Sequence, residues 1–265
     1  MANNFGYLNV GREDTVATVA LARTNARNAL NAELIEEIRH SIDQLAEDDG
    51  VRVIVLTGEG DFFCAGADIG YMRDAAAFSY EENLEDARNL AAMFGAIEKC
   101  PKPVVARVEG AAIGGGVGLV AAADVSVAEE GTVFAFTEVR LGISPATIAP
   151  FVLRKIGYSQ ARALFLSGER FDAVKACEIG LVHEVATEGD LDSTVQEKVE
   201  GLLKGGPEAL ATTKALLREL RDAERGEEAT EVMARRIAEL RTGEEGQEGL
   251  GAFLEEREPS WREEQ

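Results

Sequence analysis

The sequence predicts an α/β layered core over residues 1–190, followed by an α-helical region over residues 191–265. Three observations carry this. Short β-branched runs alternate with amphipathic stretches until about residue 145. One of those runs, VRVIVLTG at 51–58, is apolar almost throughout, as strands of a parallel sheet covered on both faces are. Residues 190–256 are rich in Ala, Leu, Glu and Arg at helical spacing, with no strand pattern.

The elements follow in order. Residues 7–10 and 15–22 carry β-branched alternation on either side of Gly11-Arg12-Glu13-Asp14, the pattern of a hairpin. From Ala32 to about Ala46, Leu34, Ile35, Ile38, Ile42 and Leu45 recur at helical spacing, and Asp48, Asp49 and Gly50 end the run. The strand at 51–58 comes next, then a polar, glycine-bearing stretch at 58–70 and a second long helix from about Tyr80 to Cys100. Pro101-Lys102-Pro103 precedes a further strand. Strand and helix go on alternating through 110–130, which implies right-handed crossovers between parallel strands. No internal repeat or low-complexity linker interrupts the chain.

Composition narrows the function classes. A chain of 265 residues with 46% hydrophobic content can bury one large core. With 48 acidic against 27 basic residues the net charge is −21, which disfavours nucleic acid as a partner. The basic set is 20 Arg and only 7 Lys. This balance resembles proteins of salt-accumulating cells, where molar salt shortens the Debye length to about 3 Å and screens the self-repulsion. The N-terminus lacks a basic start followed by an apolar run, and no stretch reaches the roughly 20 apolar residues of a membrane span, so a soluble cytoplasmic protein is expected. Cys64, Cys100 and Cys177 are odd in number and widely spaced, which predicts reduced thiols and no metal site.

Three motifs have chemical potential. Cys64-Ala65-Gly66-Ala67-Asp68 follows a buried strand, where a ligand can approach the backbone closely; the same residues also read as a surface turn in which Asp68 caps a short helix. Gly110 to Gly118 lies between a strand and an Ala-rich helix, whose free amides suit a developing oxyanion or, equally, whose glycines suit tight packing on a sheet. Residues 116–121 formally match a dinucleotide fingerprint, but a helix running only to about Ala123 is short for that crossover. In Phe136 to Pro145 a carboxylate, Glu138, sits in an apolar run, where desolvation would raise its proton affinity. An ion pair with Arg140 or an exposed position is the plain alternative. His40 and His183 lie far apart and need no catalytic explanation. Serine-hydrolase elbows, phosphate loops and His-Glu-x-x-His motifs are absent from the sequence.

Arg27-Asn28-Ala29-Leu30-Asn31, Phe63 to Asp68, Gly114-Gly115-Gly116 and Phe136 to Gly142 stand in the order and spacing of the enoyl-CoA hydratase/isomerase (crotonase) family, which the chain resembles from about residue 5 to 255. The resemblance implies a crotonase-like ββα spiral with a helical C-terminal trimerisation region, assembled as a homotrimer or a dimer of trimers. It implies an acyl-CoA thioester as substrate, with coenzyme A entering as part of that substrate and no separate cofactor. The amides of Ala67 and Gly115 would form an oxyanion hole and Glu138 would move the proton. Arg27, Ala29, Ala65, Asp68, Ile69, Gly114 and Gly118 would line the substrate. An apolar face at Leu216, Leu217, Leu220, Val232 and Ile237 would be covered by a neighbouring subunit.

One departure matters. Two-carboxylate hydratases of the family place a first glutamate where this chain has Gly118. Gly118, with Thr137 to Gly142 and Pro145 to Pro150, resembles the branch acting on branched, carboxylated enoyl-CoAs such as 3-methylglutaconyl-CoA. A single glutamate also suits a Δ3,Δ2-enoyl-CoA isomerase. If the side chain fits, Gly118→Glu is expected to leave hydration unchanged or to raise it.

Overall fold

The computed structural model describes residues 5–222 and 227–263. The chain opens with β1 (Leu8–Glu13) and β2 (Val16–Leu21), antiparallel with Glu13 opposite Val16. The reversal therefore falls at Asp14 and Thr15, with Asp14 at φ 48°, a left-handed conformation that Asp tolerates. Gly11, Arg12 and Glu13, expected in the turn, are instead part of the ladder. A short 3-10 turn over Thr24–Ala26 leads to α1 (Ala32–Glu47). The Asn31 side chain caps α1 by accepting from the Leu34 amide, and its buried face includes Leu34, Ile35, Ile38, Ile42 and Leu45.

Next come β3 (Val53–Gly58), α2 (Ile69–Ala75) and α3 (Tyr80–Lys99), the last opened by a reciprocal Ser79–Glu82 capping box. The middle of the chain forms β4 (Val104–Val108), β5 (Ala111–Ile113), α4 (Gly115–Ala122), β6 (Val125–Glu129) and β7 (Val133–Ala135). A 3-10 turn at Glu138–Leu141 precedes α5 (Ala149–Ser167), β8 (Arg170–Asp172), α6 (Ala173–Glu178) and β9 (Glu184–Ala186). The remaining described elements are helices: α7 (Leu191–Leu203), α8 (Pro207–Asp222), α9 (Glu227–Thr242), α10 (Glu244–Leu254) and α11 (Ser260–Glu263).

One sheet has the order β1-β2-β3-β4-β6-β9, parallel from β2 onward. The other has the order β5-β7-β8 and is extended by single bridges, Cys64 to Ala112 and Leu30 to Ala67. The chain thus repeats one path: a strand in the first sheet, a segment in the second, then a helix. β2, Leu30 and α1 make one turn; β3, Cys64 to Ala67 and the pair α2 and α3 make the next. β4, β5 and α4 follow, then β6, β7 and α5. This is the expected ββα spiral.

The main core is filled by α1, α3, α4 and α5 against the sheets, with Phe63, Phe94, Phe134 and Phe136 among its fully buried side chains. A second core lies where Leu191, Val195, Val199 and Leu203 of α7 cover Val53, Val55, Val105 and Val127. Thus α7, grouped by sequence with the C-terminal helices, packs as a layer on the sheet because its apolar stripe matches the valines there. The Arg52 guanidinium holds the end of α7, donating to Leu203 O at 3.1 Å and Gly205 O at 2.6 Å, and also to Trp261 O at 2.8 Å. Farther on, Leu217, Met233, Ile237, Leu250, Phe253 and Leu254 are exposed, while Leu216, Leu220 and Val232 are partly covered. Among the described residues no helix is long and apolar enough to cross a membrane.

Candidate active site

The motifs, distant in sequence, meet at one edge of the second sheet. The Cys64 to Ala67 segment is paired on both sides. Toward one neighbour, Leu30 N–H donates to Gly66 O (2.7 Å) and Asp68 N–H to Leu30 O (2.9 Å). Toward the other, Cys64 N–H donates to Ala111 O and Ile113 N–H to Cys64 O, both at 3.0 Å. β5 in turn pairs with β7, and Gly114 N–H donates to Ala135 O at 2.9 Å. Each segment then leaves the sheet at the same edge, delivering Ala67, Gly115 and Glu138 side by side.

Within these ladders the Ala67 and Gly115 amides have no acceptor among the described residues. The Ala67 amide lies between the Gly66 carbonyl, which accepts from Leu30, and the Asp68 amide, which donates to Leu30, and Gly115 is the first residue of α4, whose opening amides have no partner within the helix. Gly114 turns the chain into that helix at φ 51°, ψ −114°, a conformation that L side chains rarely adopt. A Cβ placed on Gly114 would stand 3.2 Å from Glu138 Oε1, so the carboxylate lies directly over the turn that presents the Gly115 amide.

Glu138 opens the 3-10 turn that follows β7, and the left-handed Gly142 closes it. Its Oε2 is buried without a hydrogen-bond partner. Burial, opposed only by a backbone hydrogen bond, raises its pKa above the usual carboxylate value. Among the described residues no ion pair joins it to Arg140, which is exposed and whose Nε would stand 3.1 Å from a Cβ placed on Gly168. A carboxylate with one unpartnered oxygen and raised proton affinity, beside two free amides, can exchange a proton with a ligand whose oxygen the amides hold. Cys64, in the same segment, is buried with its thiol pushed up to about 12, which removes it as a nucleophile.

The other expected residues divide. Arg27 is exposed and lies over the Phe62 ring, 5.1 Å from its centroid, and Ala65 beside it donates its amide to Arg27 O. Ile69 is 73% exposed at the rim. Ala29 is buried, with its amide on Ala26 O and its carbonyl taken by the Arg23 guanidinium. The Asp68 carboxylate accepts from the Gly70 and Tyr71 amides to cap α2 and pairs with Arg23 at 3.3 Å. The Tyr71 amide, with the Gly70 amide and Arg23, holds its pKa below the usual value against the opposing effect of burial.

Gly118 does not reach the site. It is buried, its amide donates to Gly114 O, and a Cβ there would meet Ile148 Cγ2 at 2.4 Å and the Phe94 ring at 2.8 Å. The volume that a first glutamate would use is filled by protein, so the condition that the added side chain fits is not met.

The remaining features lie elsewhere. α4 joins β5 of one sheet to β6 of the other, so its glycines are not the first turn of a βαβ unit. His40 contacts Gln44 and the Phe5 ring, and His183 Nδ1 accepts from the Ser126 amide. A groove of about 880 Å³ lies between the sheet face at Thr18 and Thr57 and the helix α7, and holds none of the motif residues. Among the described residues no group of three or more His, Cys, Asp or Glu side chains is placed to hold a metal ion. Sequence reading missed Tyr71, whose hydroxyl donates to Asp86 on a different helix; no spacing rule links those positions.

The family model described as enoyl-CoA hydratase/isomerase matches residues 11–264. Enoyl-CoA hydratase AKT6-1 of Alternaria alternata is 35% identical, over 88% of this chain and 76% of that protein. The crotonyl-CoA hydratase of Syntrophomonas wolfei is 31% identical, over 94% of this chain and 95% of that protein. The crystal structure of an enoyl-CoA hydratase from Shewanella pealeana superposes with a TM-score of 0.94 at 37% identity, covering 97% of each chain. The chain belongs to the enoyl-CoA hydratase/isomerase family.

Proposed function

We propose that the chain is an enoyl-CoA hydratase that adds water across the conjugated double bond of an acyl-CoA thioester. The observation that carries this reading is the Glu138 carboxylate, whose Oε2 is buried without a partner, beside the unpaired Ala67 and Gly115 amides. The amides hold the thioester oxygen. Glu138 takes a proton from water as the water oxygen bonds to C3, and the negative charge passes through C2 to the thioester oxygen under the amides. Glu138 then returns that proton to C2, so hydrogen and hydroxyl are both delivered and the carboxylate is regenerated. Arg27, exposed beside Ala65, suits the phosphates of the coenzyme A moiety. The hydratase names of the matched relatives favour hydration over isomerisation.

The test is product analysis. Crotonyl-CoA is expected to lose its conjugated absorbance and give a 3-hydroxyacyl-CoA, whereas conversion of a 3-enoyl-CoA alone would identify an isomerase. Gly118 and the Thr137 to Gly142 pattern favour a branched, carboxylated acyl group, so 3-methylglutaconyl-CoA belongs in the same screen.

The charge of −21 and the exposed apolar residues of α8, α9 and α10 support a salt-dependent homotrimer or dimer of trimers in the cytoplasm. In molar KCl, light scattering is expected to give three or six chains, with a melting temperature above that in dilute buffer. A monomer at high salt, or a melting temperature indifferent to salt, counts against this assembly and this adaptation respectively.

A further inference from the structure

The segment bearing Ala67 runs directly into α2, and none of the seven residues of α2 is buried. Its anchors are few. At its start Asp68 N–H donates to Leu30 O, and at its end Asn83 of α3 donates to Ala75 O and Phe78 O, each at 3.2 Å. Between these points the half-buried Tyr71 packs its ring against the main core and donates its hydroxyl to Asp86 Oδ1 of α3 at 2.5 Å. Burial first, and then the Asp86 carboxylate, raise the pKa of the phenol, so it remains the donor. A helix with no buried residue opens at little cost, and a hydrogen bond to a charged acceptor is among the stronger contacts available to hold it.

We propose that Tyr71 and Asp86 are positioning residues whose hydrogen bond fixes α2 against α3 and thereby sets the Ala67 amide in register with the Gly115 amide. This rests on the reading of those amides as the oxyanion site. Neither side chain touches the reacting atoms; they act through the backbone between Ala67 and Tyr71, across which the Asp68 carboxylate accepts from the Gly70 and Tyr71 amides. Misplacing one oxyanion donor weakens a contact that is stronger in the transition state than in the bound substrate, so the loss falls on kcat.

The test uses the full chain with crotonyl-CoA. Tyr71→Phe is expected to lower kcat roughly 10-fold while KM stays within about twofold. Asp86→Ala should match it, and the double variant should lose no more than either single, because both remove the same bond. Asp86→Asn keeps an acceptor oxygen and should remain near the wild type. In hydrogen exchange without substrate, the amides of α2 should exchange faster in Tyr71→Phe while those of α1 and β3 do not change. Unchanged exchange in α2 would overturn the latch, and so would faster exchange with kcat unaltered or losses that add in the double variant. If the wild type turned over no enoyl-CoA, the functional reading would fail on its own, and the exchange experiment would still decide whether the bond holds α2.

Discussion

Glu138→Gln is expected to lower kcat for hydration by at least about 100-fold, the usual cost of losing a general acid or base, while acyl-CoA binding persists. The side chains have the same shape, so the Gly114 turn and the amides beside it stay in place. Only proton exchange is lost. The same variant has an opposite effect on stability. Because burial raises the Glu138 pKa, the folded chain binds more protons than the unfolded chain between the usual carboxylate value and the raised one. Stability contributed by this group is therefore greatest at low pH and falls as pH rises through the folded pKa. Glutamine has no charge to bury, so the variant should melt above the wild type at neutral pH, and the gap should close as pH falls below the usual carboxylate range. A variant that turned over enoyl-CoA at the wild-type rate would remove Glu138 from the mechanism.

Gly118→Glu carries the second large effect, and it falls on the fold. Phe94 and Ile148, both essentially inaccessible, occupy the space into which the new side chain would grow. Overpacking of a core costs about 1–3 kcal/mol, and a carboxylate without a partner there adds to it. A total of at least about 3 kcal/mol corresponds to a melting temperature lower by about 6–12 °C in a chain of this size. Thermal melting followed by circular dichroism measures it. A variant with wild-type melting and faster hydration of crotonyl-CoA would mean that this wall yields and that a second carboxylate can be restored.

The contrast between these two positions marks what the sequence could convey. Glu138 was legible because a carboxylate in an apolar run is unusual wherever it falls, and its order relative to the glycines of Cys64 to Asp68 and Gly114 to Gly116 matched a known pattern. Gly118 was only half legible. Its identity announced a missing glutamate, but Phe94 and Ile148 come from α3 and the start of α5, and no local pattern ties them to α4. Asp68 illustrates the reverse case, since its capping role follows from its place before a short helix and needs no ligand. The helix α1 followed from the spacing of Leu34, Ile35, Ile38, Ile42 and Leu45 and from the stop at Asp48, Asp49 and Gly50. The short strands β8 and β9 escaped notice because runs of three residues have too few positions to display alternation.

The arrangement of the second sheet also has a kinetic consequence. Its bridges at Leu30, Cys64 to Ala67, β5 and β7 each join successive turns of the spiral, so every one closes a long loop before it yields a contact. The two amides and the carboxylate cannot be neighbours until the last of these turns has been laid down. Nascent or truncated chains that end before β7 are therefore expected to show no turnover, and recovery of turnover after denaturation should lag behind recovery of helical signal. Enzymatic activity in this protein is a late reporter of folding, appearing only once the parallel pairings have closed.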